Sequence, residues 1–181
     1  MKLSIVIPAY NEEKYIGECL DAIQRELADN KHDAEIIVVN NASTDRTHEI
    51  AAAFSGVKVV YEPQKGLVNA RRAGYAASVG QLIANIDADT RMPKGWMDKV
   101  LAEFAKDEKL AALSGPYLYY DLNQWKKFLV RVWYYLGFVI HHFNQLILKK
   151  GAVLQGGNFI VKKTQLDQIG GYNSDFDFWG E

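Results

Sequence analysis

The chain has 181 residues, a length that fits one ordinary domain with at most a small appendage. Hydrophobic residues make up 49% of the chain and charged residues 24%, which provides for an apolar core and excludes wholesale disorder. The 21 Lys and Arg residues nearly balance the 22 Asp and Glu residues, and a formal net charge of −1 argues against a nucleic-acid-binding protein.

Alternating strand and helix signals occupy the first 115 residues. Short apolar runs predict the strands, and apolar residues spaced three and four apart predict the helices between them. The predicted strands span 3–7, 35–39, 57–61, 82–86 and 110–114, and the predicted helices span 11–30, 43–54, 67–79 and 95–106, with Ser43 as the N-cap of the second helix. Helix-length crossovers between strands predict an α/β fold, with a mostly parallel sheet and helices on both of its faces.

A different pattern begins after Tyr117. A helix predicted over 124–149 has an apolar stripe on one face, and cations and aromatic residues on the opposite face. A strand over 159–162 and a short helix from Thr164 follow it. We therefore divide the single predicted domain into an α/β part, 1–115, and a C-terminal part, 116–181. The stripe consists of Phe128, Leu129, Val132, Leu136, Val139, Ile140, Phe143, Leu146 and Ile147, and the opposite face holds Lys127, Arg131, Tyr134, Phe138, His141, Gln145 and Lys149.

Nothing at the N-terminus predicts secretion. The apolar run at 3–7 ends at Pro8, and polar residues follow at once, so we expect no signal peptide. We also expect no simple transmembrane span, because no stretch of about 20 apolar residues occurs. The one cysteine, Cys19, lies on the apolar side of the first predicted helix and is expected in the core. A single cysteine excludes an intrachain disulfide and favours a reducing compartment.

The ligand site of a parallel sheet lies beyond the carboxyl ends of its strands. The first such end carries Pro8-Ala9-Tyr10-Asn11-Glu12, and it has no glycine between Pro8 and Tyr15, which excludes both a dinucleotide fingerprint and a phosphate-binding P-loop. Tyr10 offers a ring face to a base, and Asn11 and Asn41 offer amide edges. Turn formation before a helix is the alternative explanation for Pro8 and Asn11.

Asp87-Ala88-Asp89 follows the fourth predicted strand. Two carboxylates one residue apart can share a hard cation and leave coordination positions for phosphate oxygens and water, whereas the alternative is a solvated turn. Arg71, in the helix after Gly66, could reach a diphosphate or a base, and the neighbouring Arg72 is expected on the surface.

Three segments in this order resemble the family 2 glycosyltransferases, which are inverting enzymes of the GT-A fold. They are SIVIPAYNEE at 4–13, IVVNNASTD at 37–45 and IDAD at 86–89. The resemblance implies a Rossmann-like GT-A sheet, a nucleotide-sugar donor, an Mn²⁺ or Mg²⁺ cofactor, and transfer of a glycosyl group to an acceptor hydroxyl. A UDP-sugar is the favoured donor, and a GDP- or dTDP-sugar stays open. By the same resemblance 1–115 would bind the nucleotide sugar and 116–181 would form the acceptor side.

The resemblance also assigns roles to residues. Asp87 and Asp89 would bind the metal, with Asp89 as the more direct ligand. Asn41 stands where the family usually has an aspartate that contacts the base, and Arg71 stands where an arginine that faces the base or phosphate is common. The implied substrate-binding residues are Pro8, Ala9, Tyr10, Asn11, Glu12, Asn41, Arg71, Asp87, Ala88, Asp89, Gly156, Gly157 and Asn158.

The family's general base is an aspartate that follows a glutamate, and this sequence ends at that glutamate, Glu181. Either Glu181 takes the catalytic role, or the chain is a shortened form of a longer enzyme that supplies the aspartate. We favour the second explanation. An inverting displacement needs such a base on the face of the sugar opposite the leaving group.

The expected acceptor is a glycan or a lipid-linked molecule of cell-envelope polysaccharide or lipid-linked glycan synthesis. We expect a cytoplasmic location, with the long helix either against the inner face of the cell membrane or packed across the sheet. Two other functions stay open. One is a binding module for nucleotide sugars that has lost catalysis, and the other is a sugar-nucleotide nucleotidyltransferase, which would want a glycine-rich basic first loop that 8–15 lacks.

Overall fold

In the computed structural model, the described part of the chain comprises residues 2–30, 32–117, 119, 122–143, 147 and 154–173. Strands and helices alternate through it. The strands are β1 (Leu3–Ala9), β2 (Ala34–Asn40), β3 (Val57–Tyr61), β4 (Leu82–Ile86), β5 (Ala112–Ser114) and β6 (Asn158–Lys162). The helices are α1 (Ile16–Asn30), α2 (Thr47–Ala52), α3 (Leu67–Ala77), α4 (Trp96–Lys106), α5 (Gln124–Phe143) and α6 (Lys163–Gln168).

The strands form one sheet in the order β3-β2-β1-β4-β6-β5. The pairs β3–β2, β2–β1 and β1–β4 are parallel, whereas β6 runs antiparallel to both of its neighbours. The predicted α/β class with a mostly parallel sheet is therefore confirmed. The strand order reverses between β1 and β4, and in such sheets ligands bind in the crevice outside the carboxyl ends of the strands at this point.

An apolar layer covers each face of the sheet. One layer joins β1, β2 and β4 to α1, α2 and α4, and the other joins the opposite faces of the same strands to α3 and α6. In α1 the buried side chains follow the spacing of an amphipathic helix, which places Cys19 in the core as predicted. Ile16, Cys19, Leu20 and Ile23 are among these buried positions.

The predicted cap of α2 at Ser43 is wrong. The helix begins at Thr47, whose backbone N–H and hydroxyl both donate to the Asp45 carboxylate. Ser43 belongs instead to a turn at the end of β2, because its N–H donates to the Asn40 side chain at 3.0 Å and its hydroxyl accepts the Asn11 N–H at 3.1 Å. A serine can cap a helix or close a side-chain turn equally well, so residue type alone does not separate the two.

The described part of α5 turns its apolar stripe outwards. Its inward face instead contains Lys127, Val130 and Tyr134, which are partly buried. The Tyr134 hydroxyl accepts the Tyr117 N–H at 3.1 Å and the Gln155 side-chain N–H at 3.0 Å, so polar contacts attach this helix to the domain. The expectation of a helix packed across the sheet by its apolar stripe is therefore wrong for these residues. Residues 144–146 and 148–149 of the predicted helix lie outside the described residues.

Candidate active site

Two loops at the carboxyl edge of the sheet hold each other by backbone-to-side-chain hydrogen bonds. The Thr44 N–H donates to the Asn11 side-chain oxygen at 2.8 Å, and the Glu12 N–H donates to the Thr47 hydroxyl at 2.8 Å. Asn11 has a φ of 57°, in the left-handed region that asparagine tolerates better than most residues. Asn11 thus stabilises the turn, and it is not among the residues that line the cavity described next.

A cavity of about 390 Å³ lies beyond the ends of β1 and β4, and we call it the Tyr10 cavity. Tyr10 is 42% exposed at its rim, and the Lys65 Nζ donates to the Tyr10 hydroxyl at 2.7 Å while lying 4.5 Å from the ring centroid. An aromatic ring beside a cation suits a nucleobase with its phosphates. The lining residues are Pro8, Ala9, Tyr10, Glu12, Asn41, Leu67, Ala70, Asp87, Ala88 and Asp89.

Asn41 lines this cavity, but its amide is engaged by the protein. The Nδ2 donates to the carbonyl oxygens of Glu62 and Gln64 at 3.1 and 2.6 Å, and the Oδ1 accepts the Gly66 N–H at 2.8 Å. The side chain is 4% exposed. Asn41 therefore fixes the loop that leads into α3, and the amide edge expected to meet a base is already hydrogen-bonded.

A second cavity of about 490 Å³ lies on the other side of the aspartates, and we call it the Trp96 cavity. Asp87 and Asp89 belong to the walls of both cavities. The lining residues of the Trp96 cavity are Ile86, Asp87, Asp89, Thr90, Arg91, Met92, Pro93, Trp96, Pro116, Tyr117, Tyr119 and Asn158.

The Asp87 carboxylate is held tightly between neighbours. The Tyr117 hydroxyl donates a hydrogen bond to this carboxylate, and the backbone N–H of Asp87 donates to the Gly157 carbonyl at 3.2 Å. A β-carbon at position 157 would overlap the carboxylate, so only glycine fits there while Asp87 keeps this orientation. Burial raises the pKa of Asp87 and nearby Asp89 adds to that rise, while Arg71 and Tyr117 oppose it.

Arg71 lies behind the aspartates and lines neither of the two cavities. Its side chain is buried, its Nη2 donates to the Gly156 carbonyl at 2.7 Å, and its guanidinium lies 5.3 Å from the Phe159 ring centroid. Burial lowers its pKa, which the charge of Asp87 partly offsets. The geometry makes Arg71 a support for the 156–157 turn, while the neighbouring Arg72 is exposed as predicted.

Comparison with known proteins identifies the family of this chain. The model of the family "Glycosyl transferase family 2" matches residues 4–170. The chain belongs to this family. The match confirms the resemblance to family 2 glycosyltransferases that the three segments indicated. It also confirms the predicted enzyme class, a glycosyltransferase.

Individual relatives agree with this assignment. The chain is 32% identical to "Probable glycosyltransferase YdaM" of Bacillus subtilis (strain 168) over 186 residues, which is 95% of this chain and 43% of that protein. Two solved structures are similar. The mannosyltransferase PcManGT from Pyrobaculum calidifontis, in complex with GDP-Man and Mn²⁺, aligns with a TM-score of 0.70 and 20% identity, over 96% of this chain and 48% of that one. Together with the sheet described above, these likenesses confirm the GT-A fold.

The second structure is glucosyl-3-phosphoglycerate synthase from Mycobacterium tuberculosis in complex with Mn²⁺, UDP-Glc and phosphoglyceric acid. It aligns with a TM-score of 0.60 and 25% identity, over 90% of this chain and 57% of that one. The chain spans less than half the length of curated relatives such as YdaM. No helix within the described residues is both long enough and apolar enough to cross a bilayer.

The acidic residues at this edge of the sheet suit a hard divalent cation. Burial raises the pKa of Glu12, and the negative charges of Asp89, Asp45 and Asp87 raise it further, because these carboxylates repel one another. Carboxylate oxygens are the ligands that Mg²⁺ and Mn²⁺ prefer. Among the described residues no group of three or more acidic, His or Cys side chains forms a complete metal site, so the two aspartates would supply only part of a coordination shell.

Two residues of the site escaped the sequence analysis. Trp96 begins α4, and Tyr117 follows β5, whose carboxyl end lies at the same edge of the sheet as that of β4. Tyr117 lies just beyond the end of the fifth strand, so the rule for strand ends applies to it as well. Asn158 and the neighbouring Gly157 lie beside the aspartates, while Glu181 lies outside the described residues.

Proposed function

We propose that the chain carries the donor and metal site of an inverting, metal-dependent glycosyltransferase, which moves a sugar from a nucleotide-sugar donor to an acceptor hydroxyl. The observation that carries this proposal is the position of Asp87 and Asp89 in the shared wall of two cavities. An inverting displacement brings the acceptor to the face of the sugar opposite the leaving group, so its two substrates lie on opposite sides of the reacting carbon. The pair of cavities provides for such an arrangement.

The Tyr10 cavity is the proposed nucleotide site. Tyr10 would stack on the base, and the backbone of Pro8 and Ala9 would form the floor beside it. Lys65, which lies against the Tyr10 ring, adds positive charge near the diphosphate. UDP-sugars are the favoured donors, with GDP- or dTDP-sugars as the alternatives, and the two similar solved structures contain UDP-Glc and GDP-Man.

Asp87 and Asp89 are the proposed ligands of an Mn²⁺ or Mg²⁺ ion, and the Mn²⁺ in both similar structures supports this choice. Asp89 is exposed and would be the more direct ligand, whereas Asp87 is half-buried and fixed by Tyr117. When bound, the ion would neutralise the charge that builds up on the leaving diphosphate. Ala88, between the two aspartates, is buried and holds their spacing.

The turn of Gly156, Gly157 and Asn158 would lie beneath the donor sugar and the acceptor. Arg71 would fix the position of this turn through its hydrogen bond to the Gly156 carbonyl. In an inverting reaction a general base then takes the proton of the acceptor hydroxyl, and that base is either Glu181 or a residue of a longer chain.

Calorimetric titration tests this function. We expect one of UDP, GDP and dTDP to bind tightly only when Mn²⁺ is present, and we expect Asp89→Ala to weaken that binding by roughly tenfold or more, since a charged ligand is lost. Asp21→Ala, at an exposed position on α1, is the matched control and should bind as the wild type does. Undiminished Mn²⁺-dependent affinity in Asp89→Ala would refute the metal assignment.

We also propose that the protein acts at the inner face of the cell membrane, on a glycan or lipid-linked acceptor. The apolar stripe of α5 is exposed, Lys126 and Arg131 are exposed basic residues of the same helix, and the segment 124–143 contains no acidic residue. Aromatic and basic residues together favour the surface of an anionic membrane.

A further inference from the structure

The charges around the Trp96 cavity are unfavourable for an anion. Asp87 and Asp89 lie in its wall, and among its described lining residues Arg91 is the one cation. The Arg91 guanidinium is already paired with the Glu18 carboxylate. A divalent cation on the two aspartates would offset their charge, but the diphosphate bound with it would bring further negative charge. A phosphate or carboxylate that entered this cavity would therefore lose hydration in negative surroundings, with no unpaired lysine or arginine among those residues to compensate it.

The remaining wall of the cavity is aromatic and apolar. Trp96, Tyr117 and Tyr119 contribute rings, and the rings of Tyr117 and Tyr119 lie 6.3 Å apart at 56° to each other. Ring faces of this kind pack against the C–H face of a sugar ring, whose hydroxyls can then bond to a few polar groups at the edge. Thr90 and Asn158 are such groups in the lining.

The aromatic wall is held in place by a buried carboxylate. Glu26 of α1 is 3% exposed and accepts the N–H groups of Gly95 and Met97 at 2.8 and 3.0 Å, on either side of Trp96. A carboxylate at this end of α4 also interacts favourably with the helix dipole. The start of α4 is thereby fixed to α1, so Trp96 occupies a preorganised position.

We propose that the Trp96 cavity binds an uncharged sugar ring of the acceptor against Trp96 and Tyr117, and that it selects against phosphorylated or carboxylated acceptors. The inference rests on the proposed function, since it takes this cavity as the acceptor side of the glycosyltransferase. It adds the chemical class of the acceptor to that proposal.

A matched pair of probes tests the selection. Methyl glucoside and methyl glucuronide share one ring and differ by a carboxylate, and 3-phosphoglycerate serves as a small phosphorylated probe. Binding is measured by saturation-transfer NMR with the wild-type chain saturated with UDP and Mn²⁺, alongside the methyl glycosides of galactose, mannose and N-acetylglucosamine. We expect at least one neutral glycoside to bind at least tenfold more tightly than the glucuronide and than 3-phosphoglycerate.

Variants at the wall test the position. Trp96→Ala should weaken the neutral glycoside at least tenfold, Trp96→Phe should restore part of the affinity, and both should keep the affinity of the wild type for UDP. Tyr61→Ala, an exposed aromatic on β3 that lines neither cavity, is the control and should change nothing. UDP affinity also reports whether each variant is folded.

Failure of the proposed function and failure of the acceptor assignment give different results. If the wild-type chain did not bind UDP in the presence of Mn²⁺, the proposed function itself would be overturned. Intact UDP binding together with equal or tighter binding of the anionic probes would overturn the inference alone, and so would a failure of every neutral glycoside to bind. Undiminished glycoside binding by Trp96→Ala would overturn the assigned position.

Discussion

Gly157 and Asp87 are about 70 residues apart in the sequence and lie in close contact at the site. The backbone at 157 passes so close to the Asp87 carboxylate that a β-carbon would overlap it, and it would also meet the Tyr117 hydroxyl. The neighbouring Gly156 has nothing within 4 Å of such a β-carbon. Adjacent glycines therefore differ sharply in what they tolerate.

This difference predicts the effect of one methyl group. We expect Gly157→Ala to weaken Mn²⁺-dependent UDP binding by roughly tenfold, since overpacking of about 1–3 kcal/mol must turn the carboxylate away from its present position. Gly156→Ala should bind as the wild type does. Calorimetry measures the affinities and thermal unfolding confirms the fold, and equal UDP affinity of the two variants would contradict the tight fit at Asp87.

Individual residues were predictable where strand ends identified them. The placement of Pro8, Tyr10 and the two aspartates around one crevice follows from the rule for parallel sheets. The fate of Asn11 and Asn41 was not predictable. Residue type shows what an amide can bond, whereas its partners here lie on loops more than 20 residues away, at Thr44 for Asn11 and at Glu62 to Gly66 for Asn41.

Among the elements, α5 shows what periodicity can and cannot establish. The spacing correctly predicted which residues share a face, but it does not say which face meets the domain. Apolar side chains normally turn inwards, and the apolar stripe in the described part of α5 does the reverse: Phe128 is 53% exposed and Leu136 50%, while Tyr134 on the other side is partly buried.

An anionic membrane surface is the proposed partner of this face, and charge reversal tests it. Lys126→Glu with Arg131→Glu should reduce binding to vesicles of phosphatidylcholine and phosphatidylglycerol roughly tenfold or more, at about 1 kcal/mol for each basic residue near the surface. Co-sedimentation measures the binding, with pure phosphatidylcholine vesicles for comparison. Lys99→Glu with Lys109→Glu changes the net charge equally at exposed positions outside α5, and should bind like the wild type. Equal binding by the two double variants would contradict a role for α5.

For the whole molecule, the two edges of the sheet hold their carboxylates differently. At the carboxyl edge burial and mutual repulsion raise the pKa values of Glu12 and Asp87, so these charges oppose folding at neutral pH. At the amino edge burial alone would raise the pKa of Glu35, but hydrogen bonds from the Ser4 hydroxyl and the Val79 N–H, with the charge of Lys2, outweigh it and lower the pKa. The ionised carboxylates of the site thus destabilise the folded state, whereas the ionised Glu35 at the opposite edge stabilises it.

The Glu35 contribution has a defined pH dependence. Its pKa is lower in the folded state than the ordinary value of 4.5, so its stabilisation is present above that pH and is lost as the pH falls through the folded-state pKa. We expect Glu35→Gln to reduce the free energy of unfolding by about 1–3 kcal/mol at neutral pH. The difference in this free energy between the variant and the wild type should become smaller at acidic pH. Urea unfolding across a pH series measures this. Glu108→Gln, at an exposed position, is the control, and a gap that is constant with pH would contradict the assignment.

The class of the fold was predictable, whereas its topology was not. Local apolar patterns predicted all six of the described strands, each to within two residues at either end. The insertion of antiparallel β6 between β4 and β5 depends on pairing between segments that are about 75 and 45 residues apart, and no local pattern records such a pairing.

Asp87 and Asp89 face both cavities, so the occupant of one cavity alters the electric field in the other. Thermodynamic linkage makes this influence reciprocal: the factor by which one ligand changes the affinity of a second is the factor by which the second changes that of the first. A cation that arrives with the nucleotide would offset the charge of the two carboxylates, while the diphosphate that it accompanies would keep the far side negative. The expected kinetic signature is synergistic, ordered addition, with the donor entering before the acceptor.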